Sequence, residues 1–322
     1  MIKDVPRHKM SGYILKTPIF WTGTMDEGRR WILMTLKKRK TFWIFLLPAM
    51  ILIVVFLIYP LGKTFYYSFT DWKNFSVKMN FIGLKNYKRL FSDPVIRVSL
   101  RNTFIMMAGV ILFQVVLSLI LALMVSDTKH GFKFFRAVYF IPILISATAI
   151  GLMFRLIYGY EYGLLNMVRE WFGAEPVVWI TKESSIYLVS IPTMWQYVGF
   201  YFVVFLTGMT KIPVDIMDSA ILDGITPFQK AVYITIPMIR DVIASAVILV
   251  ISGCFKVFDM VYVITGGGPM NSSELLSTYM YSNAFRNYNG AYASAISIVM
   301  IVMGVVLSAI VGRVISPKDD YM

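Results

Sequence analysis

Long apolar segments alternate with shorter polar ones along the chain, and their lengths give the first expectation for the fold. A helix needs about 20 mostly apolar residues to cross the hydrocarbon core of a membrane. Six segments satisfy this requirement, and they are 41–60, 103–125, 137–158, 186–208, 242–264 and 291–312. They are too continuously apolar for the alternating strands of a membrane barrel. The pattern therefore predicts an all-α integral membrane protein with six transmembrane helices.

The polar segments divide the chain into three parts. We expect an N-terminal extension over residues 1–40, a transmembrane domain over 41–312 and a tail over 313–322. The extension has neither the apolar core nor the cleavage site of a signal peptide, so we interpret it as cytoplasmic. Its aromatic and aliphatic residues are compatible with an anchor at the membrane surface or with an arm that binds a partner.

Composition agrees with a membrane location and indicates the orientation. Of the 322 residues, 57% are hydrophobic, and the net charge is +13. The charges flank the apolar segments, so they indicate contact with membrane lipid and not with nucleic acid. With the N-terminus inside, the cytoplasmic segments hold 18 of the 31 Lys and Arg residues, including the basic tetrad at 37–40. The positive-inside rule therefore predicts that both termini are cytoplasmic.

The chain offers few residues for a metal ion or a nucleotide. Its single cysteine, Cys254, lies in an apolar segment, and the two histidines, His8 and His130, lie in polar segments beside lysines. The glycine-rich stretch 266–269 lacks the lysine that a phosphate-binding loop requires. We therefore expect no catalytic group, no metal and no cofactor on this chain.

The polar segment 213–237 has the pattern of a helix, a turn and a second helix. Pro213 suits a helix start because its missing N–H is not needed there, and Gly224 permits a sharp turn. Apolar residues recur at helical spacing on both predicted helices, and they are Met217, Ala220, Ile221, Phe228, Val232 and Ile236. We expect Met217, Ala220 and Ile221 to form one stripe. Residue types alone leave open whether that stripe packs on its own bundle or on a partner.

The joint spacing of residues in this segment resembles the EAA loop of bacterial ABC importer permeases. The matching positions are Ile212-Pro213, Asp218-Ser219-Ala220, Asp223-Gly224 and Pro237. The resemblance implies a cytoplasmic coupling loop over residues 212–237, with a coupling helix that docks into a cleft of an ATPase subunit. It assigns this coupling role to Pro213, Asp218, Ala220, Asp223, Gly224 and Pro237. Asp218 stands in place of the usual Glu, which keeps the charge and shortens its reach.

Other segments resemble the carbohydrate subgroup of these permeases. Residues 45–61, 66–72, 81–94 and 258–285 are similar to parts of the permeases for maltose, lactose and glycerol-3-phosphate. The resemblance implies the fold of type I ABC importer permeases, in a bacterial inner membrane. It implies a carbohydrate substrate, with an acidic sugar as one candidate. The partners it implies are a second homologous permease, two ATPase subunits that carry ATP and Mg, and an extracytoplasmic solute-binding protein.

Two rival classes are a stand-alone secondary transporter and an integral-membrane glycosyltransferase. A secondary transporter should show inverted halves and broken helices, and the sequence indicates neither. A glycosyltransferase should show paired acidic residues beside a membrane face, and the sequence has no such cluster.

Polar groups inside the apolar segments are candidates for a substrate path. Lys256 and Asp259 are three residues apart, so on one helix they would pair. Arg155 lies near the end of its segment, where its side chain can reach the membrane surface. Packing between helices is the alternative role for each of these groups.

The fourth apolar segment carries a second set of candidates. In related sugar permeases this stretch and the facing fifth segment line the sugar site. Tyr197, Phe200 and Tyr201 share one helical face, which we expect to line a cavity. Gln196 points about 100° away, so we expect it to bond a neighbouring helix.

Overall fold

The computed structural model describes residues 43–74, 76–126 and 132–315. The predicted extension over 1–40, both histidines and most of the predicted tail lie outside the described residues. The described part consists of helices and turns, apart from one isolated antiparallel bridge between Thr70 and Phe81. The chain divides into two compact units, Met1–Leu61 and Gly62–Met322.

The described helices cover the apolar segments and several of the polar ones. In chain order they are α1 (Trp43–Tyr67), α2 (Lys85–Ser92), α3 (Pro94–Ser126), α4 (Phe132–Leu144), α5 (Ala147–Ile157), α6 (Leu164–Trp171), α7 (Ser185–Gln196), α8 (Val198–Met209), α9 (Val214–Leu222), α10 (Pro227–Met238), α11 (Arg240–Cys254), α12 (Asp259–Ile264), α13 (Leu276–Tyr281) and α14 (Gly290–Ile315). In the described part α1, α3 and α14 are each long and apolar enough to cross a membrane, and three bent pairs bring the total to as many as six. The predicted all-α membrane fold is confirmed.

The third and fourth apolar segments are not straight helices, which corrects the sequence-based expectation of unbroken spans. α4 and α5 meet at an angle of 87°, and α7 and α8 meet at 43°. Ser146 lies at the first break in an extended conformation, and its side chain accepts a hydrogen bond from the Ala149 N–H, so it begins a new helix. Hydropathy does not register such a cap, because it sees only continuous apolar composition.

The fifth apolar segment is interrupted as well. α11 ends at Cys254, residues 255–258 form turns, and α12 begins at Asp259. Lys256 therefore lies in the interruption and does not share a helix with Asp259, so the predicted pairing geometry is wrong. Within the described residues these two side chains form no ion pair. Before this segment, α10 meets α11 at an angle of 70°.

Within the second unit the broken helices pack tightly against one another. α8 packs on α3 and α4, α12 packs on α5, and α11 packs on α14. α8 and α4 cross closely at Gly199, where a Cβ atom would overlap the backbone carbonyl of Tyr139. The ring of Tyr139 also meets that of Phe202 edge to face, with centroids 5.4 Å apart. This crossing holds the break after α4 beside the break before α8.

Asp93 joins helices that are distant in sequence. Its side chain accepts a hydrogen bond from the Val95 N–H at 2.9 Å and so caps α3. It also accepts hydrogen bonds from the hydroxyls of Tyr279 at 2.8 Å and Tyr292 at 2.7 Å. Burial works to raise the pKa of Asp93, but the hydrogen bonds from Tyr292 and Tyr279 hold it below its usual value. The start of α3 is thereby tied to α13 and α14.

Candidate functional site

A cavity of about 370 Å³ lies where the breaks in the helices meet. Its walls come from α3, α7 and α8, the facing ends of α4 and α5, and α11 with the interruption before α12. Its polar and aromatic lining residues are Gln114, Thr193, Gln196, Tyr197, Phe200, Tyr201, Lys256, Phe258 and Asp259. Apolar residues such as Val110, Ile143 and Leu249 complete the lining. An apolar cavity with a few converging polar groups is the usual form of a small-molecule site.

Most of the residues that the sequence nominated for a substrate path meet in this cavity. Tyr197, Phe200, Tyr201, Gln196, Lys256 and Asp259 all line it. Arg155 does not line it, and lies in the last turn of α5. Gln196 and Tyr197 both contribute to the lining, although we expected Gln196 to be turned away from the cavity. The reason is that α7 ends at Gln196, so the two residues are not consecutive positions of one straight helix.

Side chains of α3 form hydrogen bonds to the backbone on both sides of the break at Tyr197. The Tyr197 N–H bonds to the carbonyl of Trp195, so it does not reach the carbonyl of Thr193. The Gln114 amide instead donates to the Thr193 carbonyl at 2.7 Å. On the other side of the break, Ser118 donates to the carbonyl of Val198, the first residue of α8, at 2.7 Å. A break inside the membrane is stable only where such groups find partners, so these two residues support the shape of the cavity.

Gln196 links the two breaks directly. Its side-chain amide donates a hydrogen bond to the carbonyl of Ile145 at 3.1 Å, as the sequence-based expectation of a bond to a neighbouring helix requires. Gln196 is only 4% exposed, whereas Tyr197 is 38% exposed. Gln196 therefore acts mainly as a structural link, and the Tyr197 ring is the group that the cavity presents.

Among the polar and aromatic residues that line or support the cavity, three were not predicted from the sequence. Thr193, Ser118 and Phe258 were not nominated, although Thr193 and Phe258 line the cavity. A usable signal for the first is Pro192, because a proline inside an apolar segment marks a place where the helix ladder is incomplete. Neither Ser118 nor Phe258 has a distinguishing sequence signal, since single Ser and Phe residues are common in membrane helices.

A second candidate site is the loop between α8 and α11. α9 begins directly after Pro213, and Gly224 follows its end with φ of +69°. The Ile225 N–H bonds to the Ala220 carbonyl, and the Gly224 N–H bonds to the Ile221 carbonyl. This is the Schellman arrangement, in which a left-handed residue ends the helix and glycine carries no steric penalty. The predicted sharp turn at Gly224 is present.

The second helix of this loop is capped at its start and ends near Pro237. Thr226 and Gln229 form a reciprocal capping box ahead of α10. A π turn over Ala231–Thr235 precedes Pro237, where the Ile236 N–H bonds to the Ala231 carbonyl. The wider turn accommodates a proline that has no N–H to donate. α10 then ends at Met238, one residue after Pro237.

The predicted apolar stripe of α9 is divided between two environments. Ala220 is buried, and Met217 packs against the core of the second unit, but Ile221 is exposed. The expectation of one shared face is therefore wrong, because adjacent positions 220 and 221 point about 100° apart. The large apolar residues of the loop that remain exposed are Val214, Ile216, Ile221, Leu222, Phe228, Val232 and Tyr233. Asp218 and Asp223 are exposed beside them and form no ion pair within the described residues.

Comparison with known proteins gives a family. Residues 114–318 match the model of the family described as "Binding-protein-dependent transport system inner membrane component". The chain is 36% identical over 271 residues to "Probable ABC transporter permease protein YurN" of Bacillus subtilis, covering 83% of this chain and 92% of that protein. It is 32% identical over 273 residues to the lactose transport system permease protein LacF of Rhizobium radiobacter, covering 83% of this chain and 91% of that protein.

A solved structure has the same fold. It is a crystal structure of a bacterial ABC transporter involved in the import of the acidic polysaccharide alginate, with a TM-score of 0.77 and 22% identity. The match covers 88% of this chain and 97% of that chain. Together with the family match and the bent apolar helices, this identifies the chain as a multi-pass inner-membrane permease subunit of an ABC importer, belonging to the binding-protein-dependent transport family.

Proposed function

We propose that this permease forms part of the path by which a sugar or an oligosaccharide enters the cell. The observation that carries the proposal is the cavity among the helix breaks, which presents the rings of Tyr197 and Phe200 together with polar groups. Aromatic rings pack on the apolar faces of sugar rings, and a small number of polar groups orients the hydroxyls. The lactose permease among its relatives supports a carbohydrate as the substrate class.

Lys256 and Asp259 bring opposite charges to the same cavity without pairing with each other. Unpaired charges at membrane depth are costly, so they need a substrate, water or a neighbouring subunit as partner. A carboxylate on the substrate would suit Lys256, which keeps an acidic sugar among the candidates. Asp259 would accept hydrogen bonds from sugar hydroxyls.

The proposed partners are those that the resemblance to ABC importer permeases implies, and the family match supports them. The complete importer contains a second homologous permease, two ATPase subunits that bind ATP and Mg²⁺, and an extracytoplasmic binding protein that delivers the sugar. In this arrangement ATP hydrolysis takes place on the ATPase subunits. The loop over 212–237 faces the cytoplasm, and both termini lie on that same side.

The coupling loop would transmit the ATPase movement to the bundle. Val214, Leu222 and Phe228 expose apolar surface there, which suits burial in a cleft of the ATPase. Ala220 and Met217 face the other way, into the core, so a push on α9 reaches the helices directly. Pro213, Gly224 and Pro237 set the geometry, while Asp218 and Asp223 supply charge to the docking surface.

Reconstitution tests this function. The permease pair, the ATPase and the binding protein are placed in liposomes, and uptake of labelled lactose, maltose and an alginate oligosaccharide is measured with and without ATP. We expect ATP-dependent uptake of at least one of these sugars, abolished by Asp218→Lys but not by the exposed control Glu161→Lys. Uptake by this chain alone without ATP would instead establish a secondary transporter.

A further inference from the structure

Four aromatic side chains form a continuous chain of ring contacts, which we name the aromatic ladder: Phe258, Tyr262, Tyr281 and Phe285. Phe258 and Tyr262 are stacked with centroids 4.9 Å apart. Phe258 also contacts Tyr281 at 4.7 Å, and Tyr281 contacts Phe285 at 4.9 Å. The ladder therefore bridges α12 and the helical segment that starts with α13.

The two ends of the ladder lie in different surroundings. Phe258 lines the cavity beside Lys256 and Asp259. The other end is the ring of Phe285, which is exposed. Beside the ladder, the Arg286 guanidinium carbon lies 5.2 Å from the ring centroid of Tyr262, and its Nη2 donates to the Tyr262 hydroxyl at 3.3 Å. The ladder thus runs from the cavity to the exposed ring of Phe285, and the exposed Arg286 lies beside it on Tyr262.

The ladder lies on an open face and not in the core. Met260, Val261 and Ile264 on the same short helix are buried, whereas Tyr262 is 36% exposed and Phe285 is 56% exposed. α11 separates the coupling loop from Phe258, and a helix of its length spans about 22 Å. The ladder is therefore on the side of the cavity opposite the coupling loop, where a substrate from outside would arrive.

We propose that the aromatic ladder is a second sugar-binding track, which holds further units of an oligosaccharide while its leading unit occupies the cavity. This proposal rests on the proposed sugar-import function. The mutual contacts hold the rings in place, so little conformational freedom is lost when the exposed surfaces of Tyr262 and Phe285 pack on sugar rings. Arg286, which lies over the ring of Tyr262, can donate to sugar hydroxyls or to a carboxylate in fork geometry.

The contribution of the track to binding depends on the length of the sugar. A monosaccharide fits the cavity alone, so it gains nothing from the ladder. A longer chain contacts both sites, so loss of a rung weakens its binding. An aromatic belt that faces lipid, or a packing surface for the second permease, would make no such distinction between short and long sugars.

The test uses the complete importer in liposomes with Phe285→Ala, the conservative Phe285→Tyr and the control Phe91→Ala. Phe91 is an exposed aromatic residue of α2 outside the ladder. Uptake kinetics are measured for a monosaccharide, a disaccharide and a tetrasaccharide of one sugar, chosen from glucose, galactose and mannuronate series. We expect Phe285→Ala to raise KM for the tetrasaccharide about tenfold, with the monosaccharide changed less than about twofold. Phe285→Tyr should keep the wild-type KM for the tetrasaccharide, because it keeps an aromatic ring. Phe91→Ala should also keep the wild-type KM.

Each contrary result has a distinct meaning. If Phe285→Ala changes all three sugars equally, or changes none, the ladder is not a length-dependent track and the proposal is wrong. If it lowers recovery of the second permease, the ladder is a subunit interface and the proposal is again wrong. If the wild-type importer takes up no sugar of any series, the sugar assignment itself is overturned, and the track with it.

A substitution at Arg286 tests the same track independently. Arg286→Gln removes the charge but keeps hydrogen-bond donors. With a mannuronate tetrasaccharide, we expect KM to rise about tenfold, and with a neutral tetrasaccharide less than about threefold. If wild type and Arg286→Gln have equal KM values with both tetrasaccharides, Arg286 does not bind the sugar and is not part of the track.

Discussion

The Gln196 amide donates a hydrogen bond of 3.1 Å to the Ile145 carbonyl, and this contact joins two separate helix breaks. The Ile145 carbonyl is open because the Ala149 N–H, its helical partner, bonds to the Ser146 side chain instead. One side chain thus satisfies a backbone group that the α4–α5 break exposes, and it does so from the end of α7. The cavity lies between these two breaks.

Removal of this link should destabilise the bundle. Gln196→Ala leaves the Ile145 carbonyl without its donor, and we expect a loss of about 1 kcal/mol in stability. Gln196→Met fills the same space without a donor, so it should cause a similar loss and separate the hydrogen bond from simple packing. Thermal unfolding of the purified complex measures both variants. Wild-type midpoints for the two variants would show that the bond contributes nothing.

The close crossing of α4 and α8 should tolerate no side chain at Gly199. A Cβ atom there meets the Tyr139 backbone, which cannot rotate away, so Gly199→Ala should cost about 1–3 kcal/mol. Gly253 is the matched control, because it is helical and its Cβ would meet no atom within 4 Å. Gly253→Ala should stabilise slightly, by about 0.5–1 kcal/mol. Equal effects of the two substitutions on the unfolding midpoint would contradict the crossing.

The turn in the coupling loop should be essential for transport and not for insertion. Proline cannot adopt the φ of +69° found at Gly224, so Gly224→Pro disrupts the turn between α9 and α10. Gly173 is the control, since it also has a positive φ of +75° and open space around it. We expect Gly224→Pro to abolish uptake and to reduce co-purification of the ATPase, while Gly173→Pro does neither. Normal uptake and ATPase recovery with Gly224→Pro would refute the coupling role.

Much of the fold could be predicted from the sequence, because apolar length is a strong signal for membrane helices. The helix–turn–helix of residues 213–237 was also predictable, since Pro213, Gly224 and Pro237 act on the backbone locally. The division of the stripe at Ala220 and Ile221 was not, because it depends on which face the bundle covers.

The breaks in the helices were the main feature that could not be predicted from the sequence. The breaks lie inside continuous apolar segments, where composition gives no sign of them. The backbone groups that they leave open are satisfied by hydrogen bonds from distant residues, such as the bond from Gln114 to the Thr193 carbonyl. A secondary transporter was disfavoured because the sequence indicated neither inverted halves nor broken helices, and the bent helices contradict the second of these reasons. The family match and the similarity to known permeases now distinguish the two classes. Six of the seven residues predicted for a substrate path nevertheless line the cavity, because polar groups are rare in membrane segments and mark the same region.

The most direct test of the cavity as the sugar path is uptake by a Tyr197→Ala importer, measured together with ATPase stimulation by the sugar-loaded binding protein. The account predicts that uptake falls about tenfold, since a ring that contacts the sugar is lost, while ATPase stimulation stays at the wild-type level. Tyr187→Ala is the control, because Tyr187 is an exposed tyrosine of α7 outside the cavity, and its uptake should be unchanged. Normal uptake by Tyr197→Ala, with only a less stable complex, would contradict the account.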